Sequence, residues 1–360
     1  MSHRRFEKLI KVSGGARFIR GASAAAGLFF FAFRCFGALQ TQSPVPSIFK
    51  PASTPADDIM RLSHFVLIVT ALIFVVVFSL LVYVVWKFRR RNADDEREPA
   101  QVYGSNQMEL AWTVIPVLIV LVLFFATARV IQSVENAVPP PGTVRVIAIG
   151  HQYWWEFRYP ALGVVTANEL HIPVSDPAKP TPTFVKLLSV DTDHSFWVPQ
   201  LAGKTDLIPN RTNSMWMDPH EVGVYFGQCA QYCGTQHAKM LLRVYVDSAE
   251  QFAKWVQAER QLAVSSDVGG AAAGRQIFEK TACVNCHTVS GTVANGRFGP
   301  DLTHMMSRDT IAAGAAPNTH DNLKLWIHNP DAIKPGSLMP AMNLPDPDLE
   351  AVTAYLESLR

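Results

Sequence analysis

Two long, uncharged apolar runs stand out from an otherwise mixed chain. The first, Phe65 to Trp86, is built mainly of Val, Leu, Ile and Phe; the second runs from Leu110 to Ala128 and is closed by Arg129. A bilayer-spanning helix needs about 20 such residues, so both are predicted spans and residues 64–131 a transmembrane hairpin. Pro116 would break a helix in water but is tolerated in lipid. Lys87, Arg89, Arg90 and Arg91 follow the first run at once, which puts the connecting loop on the cytoplasmic side. Both ends of the hairpin, and everything after residue 131, then lie outside. A third apolar run, Ala22 to Phe33, is about a dozen residues and too short to span. Preceded by Arg4, Arg5, Lys8, Lys11, Arg17 and Arg20, it reads as an export signal over 1–38. Cys35 is a candidate for lipid attachment, although Ala32, Phe33 and Arg34 before it are mostly not the small residues such a site prefers. Residues 39–63 are polar with several prolines and are predicted to be extended.

Beyond the hairpin the pattern shortens. Val138-Pro-Pro-Pro141-Gly142 is a stiff linker of polyproline type. Over 143–247, short Val/Ile/Leu runs such as Val144–Ile149, Phe184–Val190 and Leu241–Val246 alternate with Pro, Gly, Asn and Asp turns. That spacing predicts an all-β Greek-key sandwich. Residues 248–271 are predicted to be helix and linker: an amphipathic helix, Lys254 to Ala263, then a flexible Gly/Ala/Ser stretch that starts at Ser265 and runs on to Ala273 at the edge of the next domain. The last domain, 272–360, is predicted to be all-α, with Gly274 and Phe278 on one helical face and a closing amphipathic helix from Leu349 to Leu359.

Hydrophobic residues make up 49% of the 360, an ordinary share, so the apolar excess is local to the hairpin. The net charge of +2 gives no electrostatic case for a nucleic-acid partner; lipid is the contact the hairpin predicts. Of five cysteines, four fall in the pairs 229/233 and 283/286, each with histidine nearby. That is cofactor spacing rather than a disulfide framework.

The first pair sits in Cys229-Ala-Gln-Tyr-Cys233-Gly-Thr-Gln-His237-Ala-Lys-Met240. Two thiols, an imidazole and a thioether form the soft donor set that copper prefers. One blue-copper ion would use a single Cys, so the second thiolate is in excess, and the pair could instead bridge two ions. A second imidazole must come from elsewhere; His194, just after an apolar strand-like run, is the candidate. A Cys229–Cys233 disulfide and a Cys2His2 zinc site remain as alternatives, but both leave Met240 idle.

The second pair is Cys283-Val-Asn-Cys286-His287, the C-x-x-C-H pattern of covalent haem c attachment, with His287 as proximal ligand. A thioredoxin-like pair would need neither the histidine nor this all-α setting. A methionine on the far side would raise the haem potential into the electron-transfer range. Met305, Met306, Met339 and Met342 are available, and Lys334-Pro-Gly-Ser-Leu-Met339-Pro340 resembles the cytochrome c pattern of Met followed by Pro, a resemblance that favours Met339.

Three segments together resemble subunit II of the haem–copper cytochrome c oxidases. They are the His194 and Cys229–Met240 set, Glu109-Leu-Ala-Trp112-Thr-Val-Ile-Pro116, and Gly150-His-Gln-Tyr153-Trp154-Trp155. The last domain resembles a class-I cytochrome c fused to that subunit, and Phe298-Gly299-Pro300-Asp301-Leu302 resembles the loop whose proline carbonyl orients the ligand histidine. The resemblance implies a cupredoxin-like sandwich holding binuclear CuA. Its ligands would be His194, Cys229, the carbonyl of Gln231, Cys233, His237 and Met240. The family usually has Glu where Gln231 stands, which puts a neighbouring magnesium site in doubt. Glu109 would lie at a proton-pathway entrance, and Tyr153 and Trp154 at the point of electron entry, where the family has Trp in place of Tyr153. The implied function is electron delivery from an external cytochrome c through haem c and CuA to haem a of subunit I. Oxygen reduction at haem a3 and CuB, and proton pumping, would follow there, with subunit III as a further partner. The implied place is a bacterial inner membrane, with both cofactor domains on the outer side. Three rivals remain. A quinol oxidase subunit shares the fold but lacks copper ligands. A CuA-type nitric oxide reductase subunit would differ in its catalytic partner. A membrane-anchored electron carrier would have none.

Overall fold

The computed structural model describes residues 47–89, 101, 103–135, 138–176, 178–263 and 270–360. The expected leader over 1–38 with Cys35, the loop arginines Arg90 and Arg91, and most of the 265–273 linker lie outside the described residues.

Helices α1 (Thr54–Lys87) and α2 (Asn106–Glu135) are 34 and 30 residues long. At 1.5 Å per residue they reach about 51 and 45 Å, enough to cross a bilayer. Neither buries any of its most apolar window inside the chain. A helix that is apolar all round, with no protein to cover it, is matched to lipid or to other membrane helices. Ser133 near the end of α2 donates to Asp58 near the start of α1 at 2.6 Å, so the pair is antiparallel.

The segment 39–63, expected to be extended throughout, is corrected here: α1 already begins at Thr54. Pro55 lies in its first turn, where proline's fixed φ suits a helix and its missing N–H costs nothing. Asp57 in the same turn complements the helix dipole. Just before it, residues 52–54 are pinned to the sandwich. The His220 amide donates to Ala52 O at 2.9 Å, and the Asp218 amide to Ser53 Oγ at 2.9 Å.

The sandwich has two five-stranded sheets. One has the order β3 (Val164–Ala167), β2 (Trp154–Tyr159), β1 (Arg145–His151), β5 (Thr183–Ser189), β8 (Asn213–Met217). The other has the order β4 (Glu169–Pro173), β10 (Leu241–Asp247), β9 (Gly223–Cys229), β6 (His194–Trp197), β7 (Thr205–Leu207). The pairs β1–β5 and β4–β10 are parallel and the remaining ladders antiparallel. Strand β10 buries every second residue, Leu242, Val244 and Val246, as one core-facing side requires. Trp155, Phe157, Tyr159, Leu170, Leu187 and Phe196 fill the space between the sheets.

Helix α3 (Ala249–Glu259) begins five residues before the predicted Lys254. Ser248 and Gln251 form a reciprocal capping box that fixes the start. In the last domain, α4 (Gly270–Lys280) crosses α8 (Asp346–Glu357). A Cβ on Gly274 would lie 1.8 Å from the Ala351 carbonyl oxygen, so only glycine permits this approach. Phe278 and Tyr355 meet across the same crossing, ring centroids 5.5 Å apart. Short elements complete the domain: α5 (Cys283–Cys286), the pair β11 (Thr310–Ile311) and β12 (Ala316–Pro317), α6 (His320–His328) and α7 (Pro330–Ile333).

The two outer domains touch directly. The carboxylate of Glu169, only 2% exposed, accepts from the amides of Asp309 and Thr310 and from the Thr310 hydroxyl at 2.8–3.1 Å. Burial pushes the Glu169 carboxyl above its ordinary pKa, and these donors work against that rise.

Candidate metal centre and haem cleft

Strand pairing brings the first cluster together. Phe196 of β6 lies opposite Cys229 of β9, which sets His194, two residues earlier, beside the end of β9. The Cys229 amide donates to Met240 O at 3.0 Å and closes the loop between them. Cys229 Sγ is 3.9 Å from His194 Nδ1, 3.9 Å from Cys233 Sγ and 3.1 Å from the Gln231 carbonyl oxygen. Cys233 Sγ is 3.7 Å from His237 Nδ1 and 3.8 Å from Met240 Sδ. All six predicted donors therefore converge. His194, Cys229, Cys233 and Met240 are buried, whereas the side chain of Gln231 points outward.

A disulfide is not formed: sulfurs 3.9 Å apart are far beyond the 2.03–2.05 Å bond, and both thiols are free. A tetrahedral zinc ion would use four donors and leave Met240 and the Gln231 carbonyl without a role. Six donors rich in sulfur fit two copper ions bridged by the thiolates.

The ring orientations are set from behind. Asp191 Oδ1 lies 2.8 Å from His194 Nε2; a carboxylate accepts, so Nε2 donates and Nδ1 faces the sulfurs with its lone pair. Gly150 makes room, since a Cβ there would stand 2.7 Å from the His194 ring. Burial disfavours charge on His194, but Asp191 and Cys229 outweigh it and raise its pKa. Cys229 is pushed down to about 3, chiefly because the Cys233 thiol donates to it. The Cys233 thiol is correspondingly pushed up.

The second cluster lines an open cleft. Cys283, Cys286 and His287 line it on one side, with Met305, Met339 and Met342 also on its walls. His287 Nδ1 lies 2.7 Å from the Pro300 carbonyl oxygen, which can only accept, so Nε2 is left free as a ligand. Burial lowers the His287 pKa and keeps the ring neutral. Arg308 also lines the cleft; it is 9% exposed and its Nε has no partner. A carboxylate such as a haem propionate would satisfy that donor, and the largely hydrocarbon walls suit the macrocycle. The residues present therefore fit a covalently attached haem.

Tyr153 and Trp154 of the sandwich also line the cleft. The Tyr153 hydroxyl accepts from the Thr235 amide at 3.1 Å, and Gln152 Nε2 donates to the Cys233 carbonyl at 2.6 Å. Gly234, at φ +128°, gives Tyr153 its space, because a Cβ would lie 2.6 Å from the hydroxyl. Of the predicted electron-entry aromatics, Tyr153 touches both the cleft and the metal loop, while Trp154 lines the cleft and stacks on His151. Lys334 of the last domain reaches this spot too: its Nζ donates to the Tyr153 carbonyl at 2.7 Å. Burial pushes the Lys334 pKa down to about 7; Lys239 pushes the same way and Cys233 opposes. Glu109 is elsewhere, in the first turn of α2. The far end of that helix meets the sandwich, where Trp216 Nε1 donates to Val134 O at 2.7 Å. Some 25 residues of helix put Glu109 about 38 Å from that contact.

Sequence reasoning missed Asp191, Arg308 and Lys334. Only Asp191 left a signal, as a carboxylate three residues before a candidate ligand histidine.

Three family models match the chain. Residues 42–130 match the cytochrome c oxidase subunit II transmembrane domain, 144–247 its periplasmic domain, and 271–360 cytochrome c. Among curated proteins, the chain is 36% identical to a cytochrome c oxidase subunit 2 of Alkalihalophilus pseudofirmus, covering 82% of this chain and 85% of that one. It is 33% identical to the subunit 2 of Bacillus sp. strain PS3, over 76% and 80% respectively. Among solved structures it aligns with the periplasmic domain of subunit II of cytochrome oxidase of Bradyrhizobium japonicum. That match has TM-score 0.32 and 27% identity, over 34% of this chain and 97% of that one.

Proposed function

This chain belongs to the cytochrome c oxidase subunit II family, and from that premise we propose how its own residues carry the electron-entry role. It is a membrane-anchored subunit of a haem–copper oxidase, with a cupredoxin-like domain and a fused cytochrome c domain, and it associates with subunit I. His194, Cys229, the Gln231 carbonyl, Cys233, His237 and Met240 would hold the copper pair. Cys283 and Cys286 would bond haem c, with His287 and Met339 on its iron. When bound, these centres carry single electrons from an external cytochrome c toward haem a of subunit I, where oxygen is reduced and protons are moved.

The chain's contribution is to hold and to insulate. Asp191 and Pro300 fix the two histidine tautomers. Buried Cys229, Cys233 and Met240 exclude water from the metal loop. A buried donor set held by these bonds would keep its geometry whichever charge the bound metal carried. The observation that carries the reading is the place of Tyr153. The residue borders the haem cleft, and its hydroxyl is hydrogen-bonded to the amide two residues past Cys233. Glu109, remote from the sandwich, fits a proton entrance on the inner side of a bacterial inner membrane, with the outer domains in the periplasm. Subunit III is the further partner expected.

Rapid mixing of the intact complex with reduced cytochrome c, without oxygen, tests the order. Haem c is expected to become reduced first and the near-infrared copper band to bleach second. Bleaching of that band while haem c stays oxidised would overturn it.

A further inference from the structure

Lys334 follows α7 and precedes Pro335, which disfavours a helical conformation at Lys334 and ends the helix there. It is 3% exposed. A lysine is almost never that buried unless its amine is fully used. Its Nζ donates to two carbonyls, Tyr153 O at 2.7 Å and Ala312 O at 3.1 Å. One amine therefore ties the copper domain's main chain to two separate segments of the haem domain. Either protonation state carries enough hydrogens for both bonds.

The neighbours run the same way. Gln236 Nε2 donates to Pro335 O and Lys239 Nζ to Ile333 O, each at 2.5 Å. Residues 333–335 thus lie along the metal loop. An apolar side chain would hold two such surfaces together with less desolvation cost. What the amine adds is direction. It fixes the carbonyl of a residue that borders the haem cleft and also touches the metal loop.

We propose that Lys334 is a positioning residue for electron transfer within this chain: it clamps the main chain at Tyr153 so that the haem cleft and the copper loop keep a fixed separation. The clamp rests on the reading above, that electrons cross from the haem domain to the copper domain at Tyr153.

Lys334→Met in the intact oxidase complex tests it with two readouts. Hydrogen exchange at the Thr235 amide, held by the Tyr153 hydroxyl, is expected to quicken roughly tenfold as the segment loosens. Haem-to-copper transfer after flash photoreduction of haem c is expected to slow roughly tenfold or more, since small misplacements of reacting groups are costly. Haem and copper content and both absorption spectra should stay at wild-type values. Lys254→Met removes only an exposed pair with Glu250, away from both clusters, and is expected to leave both readouts within about twofold. Exchange and transfer both within about twofold of wild type in Lys334→Met would overturn the clamp. Should that variant fail to assemble, Lys334→Gln decides: slower transfer supports the clamp and wild-type transfer overturns it. Absence of haem-to-copper transfer in the wild-type chain would instead sink the functional reading, and the exchange measurement would then judge the clamp alone.

Discussion

Replacing Cys229 by serine is expected to destroy the two-copper centre and leave a one-copper site. A serine oxygen is a poor donor for soft copper. The remaining sulfur, Cys233, has His237 Nδ1 at 3.7 Å and Met240 Sδ at 3.8 Å. Cys233 also lies in one cluster with His194, their donor atoms within 4.8 Å. One thiolate, two imidazoles and a thioether are the donor set of a blue-copper ion. Cys233→Ser is not equivalent. It strips the sulfur that stands next to both His237 and Met240 and leaves Cys229 with His194 and the Gln231 carbonyl close by. That variant is expected to retain little copper. In both, oxygen consumption driven by cytochrome c should fall by more than the roughly 10–100-fold that loss of a residue behind a metal ligand costs. Metal analysis and paramagnetic resonance of the purified complexes check this. Two coppers per chain in Cys229→Ser would contradict the bridging role.

Gly299→Ala is expected to disturb haem ligation without touching a ligand. A Cβ at position 299 would lie 2.6 Å from Cε1 and 2.9 Å from Nδ1 of His287. The ring cannot retreat freely, because its Nδ1 is bound to the Pro300 carbonyl one residue along. Gly299 is further tied by its amide to Cys286 O at 2.7 Å. Overpacking of this kind costs about 1–3 kcal/mol. The ring must tilt or the Pro300 bond must lengthen, and either change weakens the iron bond on that side. The outcome expected is a mixed-spin haem spectrum and a lower unfolding temperature of the haem domain, with the copper signal intact. A wild-type haem spectrum in this variant would show that the loop yields instead.

Much of this was written along the chain. The hairpin was legible because length and absence of charge decide the matter, and the two cysteine motifs because their spacing is local. His194 was found from its place after a strand, although only the pairing of Phe196 with Cys229 explains why it arrives at the sulfurs. Helix starts were harder. Thr54 was hidden by prolines that suggested an extended segment, yet Pro55 sits where a helix accepts one. Ser248 and Gln251 held a capping box that the apolar pattern did not display. What left no trace in the sequence was the contact between the outer domains. Lys334 and Tyr153 are 181 positions apart, and Glu169 and Thr310 are 141 apart. No periodicity links such pairs; they become visible only once both domains are folded and docked. The same holds for Arg308, whose unpaired Nε is informative only beside a cleft.

The account depends on one electron being shared by two copper ions across the sulfurs of residues 229 and 233. Electron paramagnetic resonance of the intact, partly reduced oxidase measures this directly, through the hyperfine pattern of the copper nuclei. A seven-line pattern from two equivalent nuclei is the predicted result. A four-line pattern from a single nucleus, at full copper occupancy, would contradict it.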